Sequence, residues 1–274
     1  MDEDVRFFLL NDDTDILRQY SNLLSEAYGK YISYEFMLNK HISNPLGSSI
    51  ISYALNSEGK LIAARAFWRM YNESVVTYQP CDTITHKDYQ GKGLFTKLTR
   101  ICLNELPGNA LVINFPNNQS LPGYLKLGWA IKGRNVKRFS LNLRLLQKKY
   151  SKISGCLPAK LDSKYKTYLN WRFSNKLENK YTFYKAADGI VIDNGDQTGL
   201  IRFGFQSCGR NRGPGLTKGY FLRGQYSLKQ LILSLSLPLN CNSRTVFYPS
   251  SKQSSHEIDD LIAYGDVNIF MDTF

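Results

Sequence analysis

The residues whose types and spacing can do chemistry lie between Thr83 and Phe95, where a strand-like run enters a loop with Gly91 and Gly93 and a helix-like run begins at Leu94. The first turn of a helix leaves backbone N–H groups without intrahelical partners and carries partial positive charge; glycines let an anion approach those donors. Gln90, Gly91, Lys92, Gly93, Leu94 and Phe95 are therefore expected to hold a pyrophosphate. Lys92 and Lys97 either add charge there or simply face water. Two other phosphate loops are excluded. No GxGxxG turn with a following parallel strand and ribose carboxylate is present, and Gly93-Leu94-Phe95 lacks the Lys and Ser or Thr of a Walker sequence. No Ser, His, Asp order or Cys, His pair with a recognisable elbow occurs, so a covalent intermediate on the protein is disfavoured.

This loop resembles the acetyl-CoA loop of the GNAT superfamily, whose pattern is Gln or Arg, two residues, Gly, one residue, then Gly or Ala. Gln90, Gly93 and Phe95 stand in those places, and His86-Lys87-Asp88-Tyr89 resembles the "HPDYRGKG" wording that precedes it. Phe95 departs from the small final residue, so the pantetheine or phosphate path is expected to be reshaped there. A second stretch, Tyr124-Leu125-Lys126-Leu127-Gly128-Trp129, resembles the family's "YxKLGF" signature at the right distance downstream. The resemblance covers about Leu10 to Leu143. It implies an α+β fold with a mixed, mostly antiparallel central sheet flanked by helices, acetyl-CoA as co-substrate, and transfer of an acetyl group to a primary amine.

The resemblance also implies roles. Tyr124 would protonate the departing CoA thiolate, or else pack with its hydroxyl hydrogen-bonded. Free N–H groups near Thr83 and Ile84, on a strand splayed from its neighbour and continuing to Thr85, would bind the pantetheine and thioester; such donors contribute about 3 to 4 kcal/mol each in oxyanion holes. Asn118 would bind the pantetheine or the adenylate half of the cofactor, or cap a helix. An alkylammonium of pKa about 10 must lose a proton before attack, to a base or a water chain. Asp82 is the first candidate base, with a turn cap or a lysine partner as its other reading; His86 follows, and Glu73 is third. Direct transfer in a ternary complex is the simplest chemistry.

These residues need elements to position them. Asp12 and Asp13 precede apolar residues at helical spacing over Thr14–Ala27, and a short helix is expected over Tyr34–His41. Ser49–Asn56, Lys60–Met70 and Val75–Thr85 read as an antiparallel meander, followed by a helix from Leu94 to Pro107, a buried strand at Leu111–Phe115, a helix at Leu121–Leu127 and a strand at Val136–Leu143. In the second half, strands are expected at Tyr181–Ala187, Ile190–Asp193, Leu200–Phe205, Thr245–Tyr248 and Val267–Phe270, and helices at Ser227–Leu235 and His256–Tyr264. The expected domains are residues 1–145, a basic linker at 146–160, and an acceptor-side α+β domain at 161–274. That second half repeats the order helix, strand, helix, strand, either as a degenerate GNAT-like duplication or as the alternation common to α+β domains.

Tyr168-Leu169-Asn170-Trp171-Arg172-Phe173 is either core or, with Tyr165, Tyr181 and Tyr184, a sugar-stacking wall. Its "LNWRF" wording is similar to GNAT-like proteins found beside polysaccharide-building enzymes, a likeness of context and not of chemistry; an amino sugar or nucleotide sugar is the favoured acceptor, and Arg172 would then meet a phosphate or pair with a buried acid. Gly209–Gly219 is a lid, an anion loop or an ordinary loop.

Composition narrows the classes. The net charge is +12, with no Asp or Glu between Ile131 and Leu161, so a basic belt faces either water or an anionic ligand. No nucleic-acid motif accompanies it, and nucleic acid is not an expected partner. Five scattered cysteines without a CxxC pair read as reduced thiols of a cytoplasmic protein; three histidines, none close to a cysteine in sequence, speak against a metal. No run is long and apolar enough to span a bilayer. Two rival readings remain: an aminoacyl or peptidyl transferase with an RNA-borne donor, and a CoA-binding protein without turnover.

Overall fold

The computed structural model describes residues 5–11, 13–71, 75–114, 116–139, 151–152, 163–173, 182–186, 189–193, 198–202 and 237–248. The chain divides into two compact units, the first built from Met1–Gly133 and Arg244–Gln253, the second from Arg134–Ser243 and Ser254–Phe274. Among the described residues no helix is long and apolar enough to cross a membrane.

The first unit runs β1 (Arg6–Leu9), α1 (Thr14–Tyr28), α2 (Tyr34–His41), β2 (Ile50–Leu55), β3 (Leu61–Met70), β4 (Thr77–Thr85), a 3-10 turn (Lys87–Tyr89), α3 (Leu94–Asn104), β5 (Leu111–Asn114) and α4 (Leu121–Lys126), and then enters β6 (Ala130–Phe139). This is the α+β architecture the resemblance implies. β1 to β4 pair antiparallel in order, and β5 joins β4 in parallel. Beyond β5 the sheet takes the end of a late strand, through the pairs Val246↔Asn114, Phe247↔Ile113 and Tyr248↔Val112. That segment falls in the part expected to belong to the acceptor-side half, and its strand is longer than the four residues expected.

Local signals account for the element ends. Asp13 caps α1 by accepting from Asp15 N and Ile16 N at 3.0 and 3.1 Å, and Gly29 closes the helix with φ 61°. Apolar residues at helical spacing, Ile16, Leu17, Tyr20, Leu23 and Leu24, are buried against Ile51, Tyr53, Ala64 and Ala66 of β2 and β3. Leu94 and Leu98 of α3 pack against Ala54, Ile62 and Ala63. A third cluster joins Phe67, Tyr78, Val112, Tyr124 and Trp129, with Tyr248 against it.

The second unit is described in pieces: β7 (Ser151–Lys152), α5 (Ser163–Arg172), β8 (Thr182–Ala186), β9 (Gly189–Asp193), β10 (Thr198–Arg202) and the first part of β11 (Leu237–Tyr248). β10, β9, β8 and β7 form an antiparallel sheet in that order. α5 was not expected. It buries Tyr165, Tyr168, Leu169 and Arg172, with Phe173 following, which favours core over a sugar-stacking wall for these side chains. The expected helices Ser227–Leu235 and His256–Tyr264, the loop Gly209–Gly219, the strand Val267–Phe270, Tyr181 and Glu73 lie outside the described residues, as does most of the basic linker.

Candidate active site

β4 carries the site because of how it leaves its neighbours. Among the described residues its parallel register with β5 runs through Thr77↔Leu111 and Tyr78↔Val112. Against β3 the register shifts between Ala64 and Ala66, with Asp82 and Thr83 facing the single residue Arg65. Asp82 takes φ 45°, the left-handed conformation that makes room for the extra residue of a bulge. The bulge falls next to Thr83 and Ile84, where the resemblance implies a splay.

Beyond β4, His86 Nδ1 accepts from Asp88 N at 3.4 Å and caps the 3-10 turn. Gln90 Nε2 donates to Thr85 O at 3.2 Å and ties the loop back to the strand. Gly91 and Gly93 have φ 76° and 75°, a region costly for residues with a Cβ, and the space beside both is open. The first intrahelical bond is Lys97 N to Gly93 O, and no side chain caps the helix, so the N–H groups of Leu94, Phe95 and Thr96 point out of its first turn. These donors with two open glycines fit a diphosphate. Lys92 sits over the Tyr89 ring at 4.9 Å, and Lys97 lies 3.7 Å from the centre of the Phe7 ring.

Phe95 does not close this loop. Its ring turns toward α4, edge-on to Tyr124 at 5.5 Å between centres, over the space that a side chain at residue 123 would take: a Cβ on Gly123 would stand 2.8 Å from Phe95 Cε1. The large residue in a place where the family pattern has a small one is matched by a missing side chain opposite.

Tyr124 is buried and its hydroxyl oxygen receives two hydrogen bonds, from Arg65 Nη2 at 2.6 Å and Asn114 Nδ2 at 2.5 Å. Arg65 Nη1 also donates to Thr83 Oγ1 at 2.9 Å. Since Asn114 ends β5 and Thr83 lies on β4, this network bridges the two strands where they part. With both acceptor positions occupied, the phenol keeps its own hydrogen for a third partner. Arg65 and Asn114 were not among the expected site residues. An Arg inside the otherwise apolar run Leu61–Phe67 was the available signal, because every residue of that run is buried.

Asp82 is on the expected strand, but its carboxylate is engaged. Lys40 Nζ lies 2.8 Å from Oδ2 and 3.1 Å from Oδ1, and His41 Nε2 lies 2.9 Å from Oδ2. Tyr20 Oη donates to the Asp82 carbonyl, and His41 Nδ1 meets Ser49 Oγ at 2.9 Å. Burial alone would raise the Asp82 carboxyl, but the Lys40 charge and the His41 hydrogen bond outweigh it and hold the group well below the usual carboxylate range. The lysine-partner reading of Asp82 therefore describes its surroundings, and such a group takes up a proton poorly. The fold also brings Cys81 beside His41 and Asp82, their ligand atoms within 4.8 Å of one another, a juxtaposition that sequence distance concealed. The Lys40 ammonium occupies that carboxylate with a positive charge of its own.

His86 is bound up in its cap and stands edge-on to Tyr89. At the start of α4 it is Asn117, accepting from Ser120 N at 2.8 Å, that makes the local hydrogen bonds; Asn118 is exposed. Ile84 is buried in the core beside α1.

No family model matches the chain, and no curated protein matches it. Similar solved structures include an acetyltransferase of Trypanosoma brucei, at 17% identity and TM-score 0.41, with 48% of this chain and 96% of that one covered. A Pyrococcus horikoshii structure labelled as an acetyltransferase covers 96% of this chain and 84% of its own at 13% identity and TM-score 0.47. Glucosamine-6-phosphate N-acetyltransferase of Arabidopsis thaliana shares 14% identity over 46% of this chain and 93% of its own, with TM-score 0.38. Similarity at this level carries no residue roles across.

Proposed function

We propose that this chain is a GNAT-type N-acyltransferase that moves an acetyl group from acetyl-CoA to a primary amine by direct transfer. The observation that carries the reading is the Tyr124 hydroxyl, buried and held by Arg65 and Asn114 across the opening between β4 and β5. A thioester lying in that opening would have its diphosphate at the N–H groups of Leu94, Phe95 and Thr96 and its carbonyl toward the bulge of β4 near Thr83 and Ile84.

The neutral amine nitrogen attacks the thioester carbon, the C–S bond breaks with its electron pair on sulfur, the Tyr124 hydrogen passes to that sulfur, and the proton that the new amide nitrogen sheds leaves to water. The attacking ammonium must first lose a proton. Because Lys40 and His41 already hold Asp82 as an anion, water is the proposed carrier of that proton, and Asp82 serves to fix the bulge of β4. An amino sugar, free or nucleotide-linked, is the acceptor to test first; its support is the "LNWRF" likeness of residues 169–173.

The test is thermal shift with acetyl-CoA and CoA, followed by thiol release with amino sugars, polyamines and peptides. Stabilisation by acetyl-CoA with amine-dependent thiol release supports the proposal. CoA binding without turnover on any amine would favour a non-catalytic role, and RNA affinity that falls steeply with salt in the absence of CoA binding would favour an RNA-borne donor.

A further inference from the structure

We infer that Arg65 is a positioning residue whose fixed charge prepares the site for the negative charge released when the thioester C–S bond breaks. The inference rests on the acyl-transfer reading above and adds a residue that neither motif contains.

Arg65 is 0% exposed, at the centre of β3. An arginine side chain keeps its charge in protein interiors, and burying it without a counter-charge is costly. No carboxylate among the described residues pairs with it. Its hydrogen bonds go to two neutral hydroxyls, Thr83 Oγ1 and Tyr124 Oη, and its Nε has no hydrogen-bond partner. The rings of Phe95, Tyr124 and Phe67, at 4.5, 5.2 and 5.5 Å, attract the guanidinium without neutralising it.

Each of the two hydroxyls leads to the reaction. Thr83 is on the bulged strand, and Tyr124 is the proposed proton donor. As the C–S bond opens, electron density moves to sulfur; as the proton follows, it moves to the phenol oxygen, which Arg65 Nη2 and Asn114 Nδ2 already face. Water returns a proton to Tyr124 after the thiol leaves. Arg65 thus presents an uncompensated cation at the one atom through which the negative charge must pass, and it does so before any substrate arrives, so no dipoles need to reorganise during the step.

A structural arginine and an electrostatic one make different predictions for the same variants. The experiment follows the ultraviolet absorbance of the CoA thiolate against pH, for CoA free, bound to the wild type, and bound to Arg65→Gln and Arg65→Lys, together with steady-state kinetics and urea unfolding. In the wild type the bound thiol should ionise about one pH unit or more below free CoA. In Arg65→Gln that shift should vanish and kcat should fall at least about tenfold, with KM for acetyl-CoA within about threefold and no loss in the urea midpoint. Arg65→Lys, which keeps the charge, should restore part of both effects.

Unchanged thiol ionisation and unchanged kcat in Arg65→Gln would overturn the inference while leaving the acyl-transfer reading intact. So would a fall in kcat matched by a lower urea midpoint and not relieved by Arg65→Lys. If Arg65→Gln does not fold, the comparison of wild-type-bound with free CoA decides alone: equal ionisation overturns the inference. A wild-type protein that binds no CoA would remove both.

Discussion

Gly123→Ala should destabilise the protein while Phe95 is present and stabilise it once Phe95 is trimmed. The added Cβ would stand 2.8 Å from Phe95 Cε1, 3.3 Å from Cδ1 and 3.4 Å from Cζ. Carbon pairs are most comfortable at about 3.5 to 4.0 Å, so the ring edge must retreat by roughly 0.7 Å or more. It has little room: Tyr124 meets it edge-on at 5.5 Å, and the Arg65 guanidinium carbon lies 4.5 Å from its centre. Overpacking of this kind costs about 1 to 3 kcal/mol. Against it stands the preference of a helix for Ala over Gly, about 0.5 to 1 kcal/mol, since residue 123 lies inside α4. Taking the middle of each range, the net expectation is a loss of about 1 kcal/mol, the overpacking cost less the helix gain. In a Phe95→Ala background only the helix preference remains, and Gly123→Ala should gain about 0.5 to 1 kcal/mol. Urea unfolding of the four proteins, followed by fluorescence of the buried Trp68 and Trp129, measures both signs. Gly123→Ala that is neutral or stabilising beside an intact Phe95 would refute the packing. The ring would then be free to lie over the loop, as its departure from the family pattern first suggests.

Tyr124→Phe should lower kcat by about a hundredfold or more, the usual contribution of a general acid, and leave acetyl-CoA affinity within about threefold; unchanged turnover would remove Tyr124 from the mechanism. Asp82→Asn, a residue tolerant of the positive φ, should cost about 3 to 5 kcal/mol at neutral pH by leaving Lys40 buried beside a neutral amide. Because the folded carboxyl lies below its unfolded value near 3.9, its stabilisation is present above about pH 4 and fades as the pH falls through the folded value. Urea midpoints of wild type and variant should therefore converge in acid and differ most near neutrality, and a constant difference would contradict the ion-pair account. Gly93→Ala should raise KM for acetyl-CoA by about tenfold with a smaller effect on kcat, because a Cβ at φ 75° costs about 1 to 2 kcal/mol and displaces the first-turn donors; steady-state kinetics read this directly.

What was legible in the sequence was local. The meander Ile50–Thr85, the start of α3 after Gly93 and the short helix holding Tyr124 all follow from apolar spacing, caps and glycines acting within a turn or a strand, and such signals survive without knowledge of neighbours. The place of Gln90 and the opening of the loop were readable for the same reason. Three features were decided by contacts distant along the chain. Arg65 reaches Tyr124 across 59 residues, Lys40 and His41 reach Asp82 across 42 and 41, and Tyr248 returns to β5 from the far end. Asp82 reads in sequence either as a base or as a carboxylate capping a turn or paired with a lysine, because nothing nearby marks its partners; the choice is made when Lys40 and His41 of α2 meet it at the bulge of β4. Phe95 reads as a defect in a motif because the space it fills is made by Gly123, on another helix. Side-chain type and spacing thus determined which groups were available for chemistry, while packing determined which of them are already bound to one another and which remain open to a substrate.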